Sequence, residues 1–285
     1  MKVIIAGYDK MLAALINGAI DNNHEVVGVI RIDRVKYNRF TLFFKDIFAP
    51  SKDYSYIKSK NLHEIKANSV NSKKFKDEVL KLKADVILVG SWSEKFSIET
   101  IELTKYGVIN CHPSLLPKHR GANPYFWQIY SGDTKAGVTF HYMNEKIDAG
   151  EILMQGSFDI MPYMTGGVLR TKTSKVAEVM VGQLLSDLEE NIIIPVKQIE
   201  EKATYDRWTS DLKVIDFQME PPICLHNKIR GMRPFAYPVV TYNGFTYKIK
   251  HSELIIENNE NLGVSKEGRN LYSRYKDCTL KLTLL

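Results

Sequence analysis

Two polar residues stand two positions apart at the end of an apolar run. Asn110 and His112 close the segment GVINCH, residues 107–112. If that run is a strand, period-two spacing puts both side chains on one face. Pro113 follows and biases His112 toward an extended backbone. A carboxylate, Asp148, comes 36 residues after His112 in KIDAGEIL, in a turn-like context before another apolar run. Singly, each has an ordinary structural reading: a core histidine, an asparagine bonded to backbone at a strand end, an aspartate in a turn. Together they suit acyl transfer to an amine. An asparagine is a neutral donor for an oxyanion. A neutral histidine can take a proton from an attacking ammonium, or from the tetrahedral intermediate, near pH 7. A nearby carboxylate favours the imidazolium and orients the ring. No GxSxG elbow occurs, so a serine acyl-enzyme is not indicated.

These residues need a frame. KVIIAG (2–7) reads as a buried parallel strand, MLAALINGAIDNN as a helix and EVVGVI (25–30) as a second strand, so the chain opens β-α-β. Only Gly7 stands where a GxGxxG turn would be, so NAD or FAD binding has little support. NSKKFKDEVLKLK (71–83) has helical spacing, with Asn71 or Ser72 as cap. ADVILVGSW (84–92) is a further buried strand, and SIETIELT (97–104) a short helix before GVINCH. ANPYFWQIYSGD (122–133) reads as a helix with Phe126, Trp127 and Ile129 toward the core. AGVTFHYM (136–143) and EILMQGSFDI (151–160) read as a strand pair, and residues 168–191 as a long helix. The pattern weakens near 200–212. PPICLHNKIRGM (221–232) suggests a short helix, Asn243-Gly244 a hairpin turn, and the tail two more strand-like runs. The expected fold is α/β: a Rossmann-like, open, mostly parallel sheet flanked by helices over residues 1–204, then a small β-rich, barrel-like domain over 205–285. In such sheets ligands bind beyond the carboxyl ends of the strands, where Asn110 and His112 fall.

Composition bounds the rest. The 285 residues carry a formal net charge of +6, compatible with an anionic partner without choosing one. Residues 31–60 hold eight Lys/Arg against Asp33, Asp46 and Asp53, interleaved with Phe40, Phe43, Phe44 and Phe48. This segment reads as irregular: a solvated loop, with an anion-facing loop as the alternative, and its role stays open. Cys111, Cys224 and Cys278 lie far apart without a CxxC, which argues against a zinc site or disulfide scaffold, and no metal is expected. The opening apolar run is too short for a signal peptide, and no stretch approaches the roughly 20 apolar residues of a membrane span. A cytoplasmic protein with no membrane partner is the expectation.

Asn110, His112, the loop HPSLLPKHRGANP and DAGEIL closely resemble the folate-dependent formyltransferase family over the first ~200 residues. CLHNKIRGMRPFAYPVVTYNGFTYKI resembles, more weakly, the start of the C-terminal barrel of its longer members. The resemblance implies direct formyl transfer from 10-formyltetrahydrofolate to a primary amine, without metal or covalent enzyme intermediate. In it Asn110 and His112 would hold the formyl oxygen, and His112 and Asp148 would manage the proton. Leu88, Val89, Gly90, Ser91, Trp92 and Ile147 would line the pterin pocket. HPSLLPKHRGANPYFW resembles most the sugar-nucleotide branch, associated with lipopolysaccharide O-antigen synthesis, whose acceptor is an aminosugar on dTDP or UDP. Lys10, Ser114 and Arg207 are the candidates for binding it, with Arg230 and Arg233 weaker ones. Methionyl-tRNA formyltransferase is the alternative, and a folate-binding regulator or formyltetrahydrofolate hydrolase a third reading. The sugar, its nucleotide, the pathway and the oligomeric state stay open; a homodimer is compatible with the sequence.

Overall fold

The apolar runs assemble into one sheet, parallel over four strands and antiparallel beyond them. The computed structural model describes residues 1–285. It runs β1 (Lys2–Gly7), α1 (Asp9–Asp21), β2 (Glu25–Arg31), α2 (Asp33–Lys36), α3 (Arg39–Phe48), α4 (Lys52–Ser59), α5 (Lys73–Leu82), β3 (Val86–Gly90), α6 (Ile98–Ile101) and β4 (Val108–His112). Then come α7 (Pro124–Tyr130), β5 (Lys135–Tyr142), β6 (Ile152–Asp159) and α8 (Gly166–Glu189). The strand order is β2-β1-β3-β4-β5-β6. Pairings among β2, β1, β3 and β4 are parallel, and β5 meets β4 antiparallel.

Both faces of the sheet are covered, as a mostly parallel sheet requires. Leu88, Ile109 and Cys111 pack on one face with Met11 and Leu15 of α1 and Val181 and Leu185 of α8. Ile4, Ala6, Val89 and Val108 pack on the other with Phe75 and Val79 of α5. Ser72 caps α5, its hydroxyl accepting the Phe75 N–H.

Residues 31–60 correct the expected irregular loop: they form α2, α3 and α4. Asn38 and Ser51 cap α3 and α4 through their side chains. The anchor is Arg31, fully buried at the end of β2. Its guanidinium donates to Asp33 (2.9 Å), Asp46 (2.5 Å) and Glu64 (2.6 Å). A buried guanidinium needs this many acceptors, and they fold the segment around it.

The chain divides into two compact units that are not separated by a single cut. One comprises Met1–Arg120, Gly137–Ser157 and Thr171–Thr204; the other Gly121–Ala136, Phe158–Arg170 and Tyr205–Leu285. The second unit contains 3-10 turns at Ser210–Lys213, β7 (Val214–Ile215), α9 (Pro222–Met232), β8 (Val239–Tyr242), β9 (Phe245–Ile256), β10 (Gly263–Glu267), β11 (Asn270–Arg274) and β12 (Cys278–Leu284). Its strands form a second six-stranded sheet, ordered β10-β11-β12-β9-β8-β7, with the β8–β9 hairpin turning at Asn243-Gly244. Within this unit Phe126 and Trp127 of α7 pack with Met232, Trp208 and Leu212.

Candidate active site

His112 ends β4 and Asn110 sits two residues before it. Across the antiparallel β4–β5 boundary, Asn110 lies opposite His141 and His112 opposite Thr139. Opposed residues share a face. Ile109 and Cys111 alternate to the other face, where the Cys111 thiol is buried beside Met11 and pushed far above the usual thiol range by desolvation. It is no nucleophile.

The third group arrives from the turn between β5 and β6. Asp148 has φ +50°, a strained conformation for a non-glycine residue. Its Oδ2 lies 3.4 Å from His112 Nδ1 and its Oδ1 3.5 Å from His141 Nε2. The Asn110 amide donates to Asp148 Oδ1 at 3.1 Å and to His141 Nε2 at 3.2 Å. Asn110, His112 and Asp148 are therefore brought together. His141 joins them, a fourth member absent from the sequence reading.

The hydrogen bonds set the tautomers. His112 Nε2–H donates to the His119 carbonyl at 2.8 Å, so Nδ1 carries the lone pair toward Asp148. His141 Nδ1–H donates to the Tyr142 carbonyl at 2.8 Å, leaving Nε2 as acceptor. His112 is buried, and desolvation holds its pKa below the ordinary histidine range; Asp148 opposes this and His141 adds to it. The ring is neutral near pH 7, a base whose proton site faces a carboxylate.

Three features hold Asp148 in its strained place. Gly150 packs so closely on β5 that a Cβ there would overlap the Tyr142 carbonyl. Gln198 Nε2 donates to the carbonyls of Asp148 (2.9 Å) and Gly150 (2.7 Å). Gln198 Oε1 accepts from Arg120 Nε and Nη2 at 3.0 and 2.8 Å, and Arg120 pairs in turn with Glu200. Thr139 steadies the preceding loop: it donates to the Ser114 carbonyl at 2.7 Å and accepts from Leu116 N–H at 3.1 Å.

The remaining predicted residues are placed less uniformly. Leu88 and Val89 send their side chains into the two opposite cores, and β3 is paired on both edges with β1 and β4 through Gly90. The segment comes free only at Ser91, which has φ +59°. Trp92 follows, its indole N–H buried with no partner. Ile147, beside Asp148, is 53% exposed. Ser114 is buried and donates its hydroxyl to the Lys118 carbonyl at 2.7 Å, so that proton serves the loop. Lys10 is exposed on the first turn of α1, donating to Thr171 Oγ1 at 2.5 Å. Arg207 is exposed within the second unit. There too, Arg230 donates to the Met164 carbonyl and Asn227, and Arg233 lies over the Tyr237 ring.

Comparison with known proteins follows the same line. A family profile described as "Formyl transferase" matches residues 1–184. A methionyl-tRNA formyltransferase of Bacillus licheniformis is 29% identical over 99% of this chain and 89% of its own length. One from Geobacillus thermodenitrificans is 35% identical over 63% of this chain and 56% of its own. Among solved structures, an N-formyltransferase from Helicobacter canadensis, in complex with folinic acid and dTDP-3-aminofucose, superposes with a TM-score of 0.79 over the full length of both chains at 19% identity. WlaRD, a sugar 3N-formyl transferase solved with dTDP and 5-N-formyl-THF, gives 0.77 at 19% identity, over 100% of this chain and 98% of its own. At these identities the structural likeness concerns the fold.

Proposed function

The chain belongs to the formyl transferase family, and we propose that it formylates the amino group of a nucleotide-linked aminosugar, taking the one-carbon unit from 10-formyltetrahydrofolate. The observation that carries the chemistry is a buried His112 whose Nδ1 lies 3.4 Å from Asp148 Oδ2, beside the Asn110 amide. Bound 10-formyltetrahydrofolate supplies the formyl carbon. The unpartnered Trp92 indole N–H, just past the end of β3, suits the nitrogen- and oxygen-rich edge of a pterin. Ser91 and Ile147 stand as the accompanying pocket residues.

The roles of the chain's own groups follow from their protonation. As the amine attacks the formyl carbon, His112 takes the amine's proton at Nδ1, and Asp148 stabilises the resulting imidazolium. Asn110 turns an amide N–H from Asp148 or His141 to the oxyanion that forms on the former carbonyl oxygen. His112 then returns the proton to the departing folate nitrogen, giving a formamide and tetrahydrofolate. His141 accepts from Asn110 and so keeps its amide oriented.

The acceptor reading draws support from two folds matched end to end by this chain, one described as a sugar 3N-formyl transferase and the other as an N-formyltransferase in complex with dTDP-3-aminofucose. A second reading, methionyl-tRNA as acceptor, draws on the sequence relatives, which carry that name over most of their length. Purified protein given 10-formyltetrahydrofolate with dTDP- and UDP-aminosugars, and in parallel charged initiator tRNA, separates them. Formylated nucleotide sugar with no formylated tRNA is expected; formylation of tRNA alone overturns the reading.

A further inference from the structure

The segment between β2 and α5 has no part in the chemistry described above, yet its polarity is inverted. On α3, Leu42 is buried and Asp46 turns inward to Arg31, while the aromatic residues turn out. Phe40, Phe43, Phe44, Ile47 and Phe48 are 75, 60, 43, 55 and 78% exposed. They fall at i, i+3, i+4, i+7 and i+8, one continuous stripe. Phe40 meets Phe44 edge-on at 4.8 Å, and Phe44 stacks on Phe48 at 6.1 Å. A contiguous apolar patch of this kind on a soluble chain marks an interaction surface.

The charges say what meets it. All three acids of residues 31–60 are spent internally: Asp33 and Asp46 on Arg31, and Asp53 on the Asp9 backbone N–H at 2.9 Å. Arg34 is spent on Glu64. What remains outward is cationic: Lys36, Arg39, Lys52, Lys58 and Lys60 are exposed, and Lys45 lies over the Tyr37 ring. We propose that α3 is a peripheral docking element for an anionic lipid surface, its phenylalanines entering the headgroup boundary and the exposed lysines and arginine of residues 31–60 meeting lipid phosphates. Aromatic residues on one face with Lys/Arg about them are the signature of an interfacial helix, and each needs the other for stable binding.

Other occupants fit less well. A second copy related by a two-fold axis would bring the same cations face to face, with no acid left to neutralise them. Single-stranded nucleic acid stacks bases on free ring faces, but here the rings pack on one another and Ile47 interrupts them. The patch follows the carboxyl end of β2, and β2 runs parallel to β1, β1 to β3, and β3 to β4, so it lies on the same sheet edge as His112. Docking there leaves the catalytic edge turned toward the bilayer.

The test is sedimentation of the full-length protein with vesicles of phosphatidylcholine containing about one-third phosphatidylglycerol, against phosphatidylcholine alone. Variants Phe44→Ser/Phe48→Ser and Lys36→Glu/Arg39→Glu change exposed side chains that have no part in the chemistry described above, and should keep basal formyl transfer. Binding to the anionic vesicles only, weakened at least about tenfold in each variant and by raised salt, is expected. No binding by the wild-type chain, or equal binding by wild type and both variants, overturns the proposal. So does a labelled single-stranded RNA, or self-association in sedimentation velocity, that depends on Phe44 and Phe48 while vesicles are ignored.

Discussion

Gln198 has no part in the proposed proton transfer, yet it holds the Asp148 backbone. Its side chain can be altered in two ways that separate its tasks. Gln198→Leu removes both donated bonds, to the carbonyls of Asp148 and Gly150, and the acceptor opposite Arg120. Gln198→Glu keeps an acceptor for Arg120 but sets a carboxylate against the two carbonyls. With about 1 kcal/mol for each neutral bond and more for the one to a buried guanidinium, the leucine variant should lose about 3 kcal/mol of stability and the glutamate variant somewhat less. The catalytic effect is expected to be alike in both. Asp148 is strained, with φ +50°, and its contact to His112 is already 3.4 Å, so relaxation by about 1 Å takes it out of ion-pair reach. A misplacement of that size costs about 100-fold in turnover. Thermal melts and single-turnover formyl transfer measure the two effects. A pH–rate profile adds a readout that instability alone does not move: with Asp148 withdrawn, the group that raises the His112 pKa is gone, and the acid limb should shift to lower pH. Wild-type turnover in both variants, or an unmoved acid limb, would refute this role for Gln198.

Four more outcomes are expected. In the wild-type enzyme the acid limb of kcat/KM should lie below pH 6.5, because desolvation lowers the His112 pKa; a limb above 6.5 contradicts the assignment. Gly150→Ala, whose new methyl collides with the Tyr142 carbonyl, should cost about 1–3 kcal/mol by calorimetry and most of the activity, while Gly156→Ala provides a comparison away from Asp148. Arg31→Met should destabilise by about 3–5 kcal/mol in urea melts, since Asp33, Asp46 and Glu64 lose their shared cation. His226, pushed down to about 4 mainly by burial and then by Arg230 and His251, binds a proton more readily unfolded than folded. Stability should therefore fall as pH drops from 6.5 toward 4, by up to about 3 kcal/mol, and His226→Gln should flatten that slope in acid melts.

The meeting of Asn110, His112 and Asp148 is partly legible in local pattern: strand alternation aligns Asn110 with His112 and DAG marks a turn for Asp148, while their grouping rests on the family resemblance. His141 was half legible. Thr139 and His141 repeat the same two-residue spacing in AGVTFHYM, but only the β4–β5 register sets them against His112 and Asn110. The Arg120–Gln198–Glu200 support was not legible, since it joins residues 78 to 80 positions apart by side-chain geometry no short window contains. That Leu88 and Val89 send their side chains into opposite cores was not legible, because a strand buried on both faces reads as one apolar run, whichever side each residue takes. Residues 31–60 looked like a solvated loop because α3 breaks the usual rule: its acid faces Arg31 inside and its aromatic residues face outward.

The interleaved path of the chain constrains how this protein can be cut or recombined. The backbone passes between the two units five times, at 120/121, 136/137, 157/158, 170/171 and 204/205. A fragment ending at Thr204 keeps α7 but discards Met232, Trp208 and Leu212, stranding Phe126 and Trp127 in water. A fragment beginning at Tyr205 lacks the aromatic residues its own core was built around. Grafting a tail from a relative would thus demand a matching exchange of residues 121–136 and 158–170, so the part of the molecule that looks like a detachable appendage can be inherited only as a three-piece set.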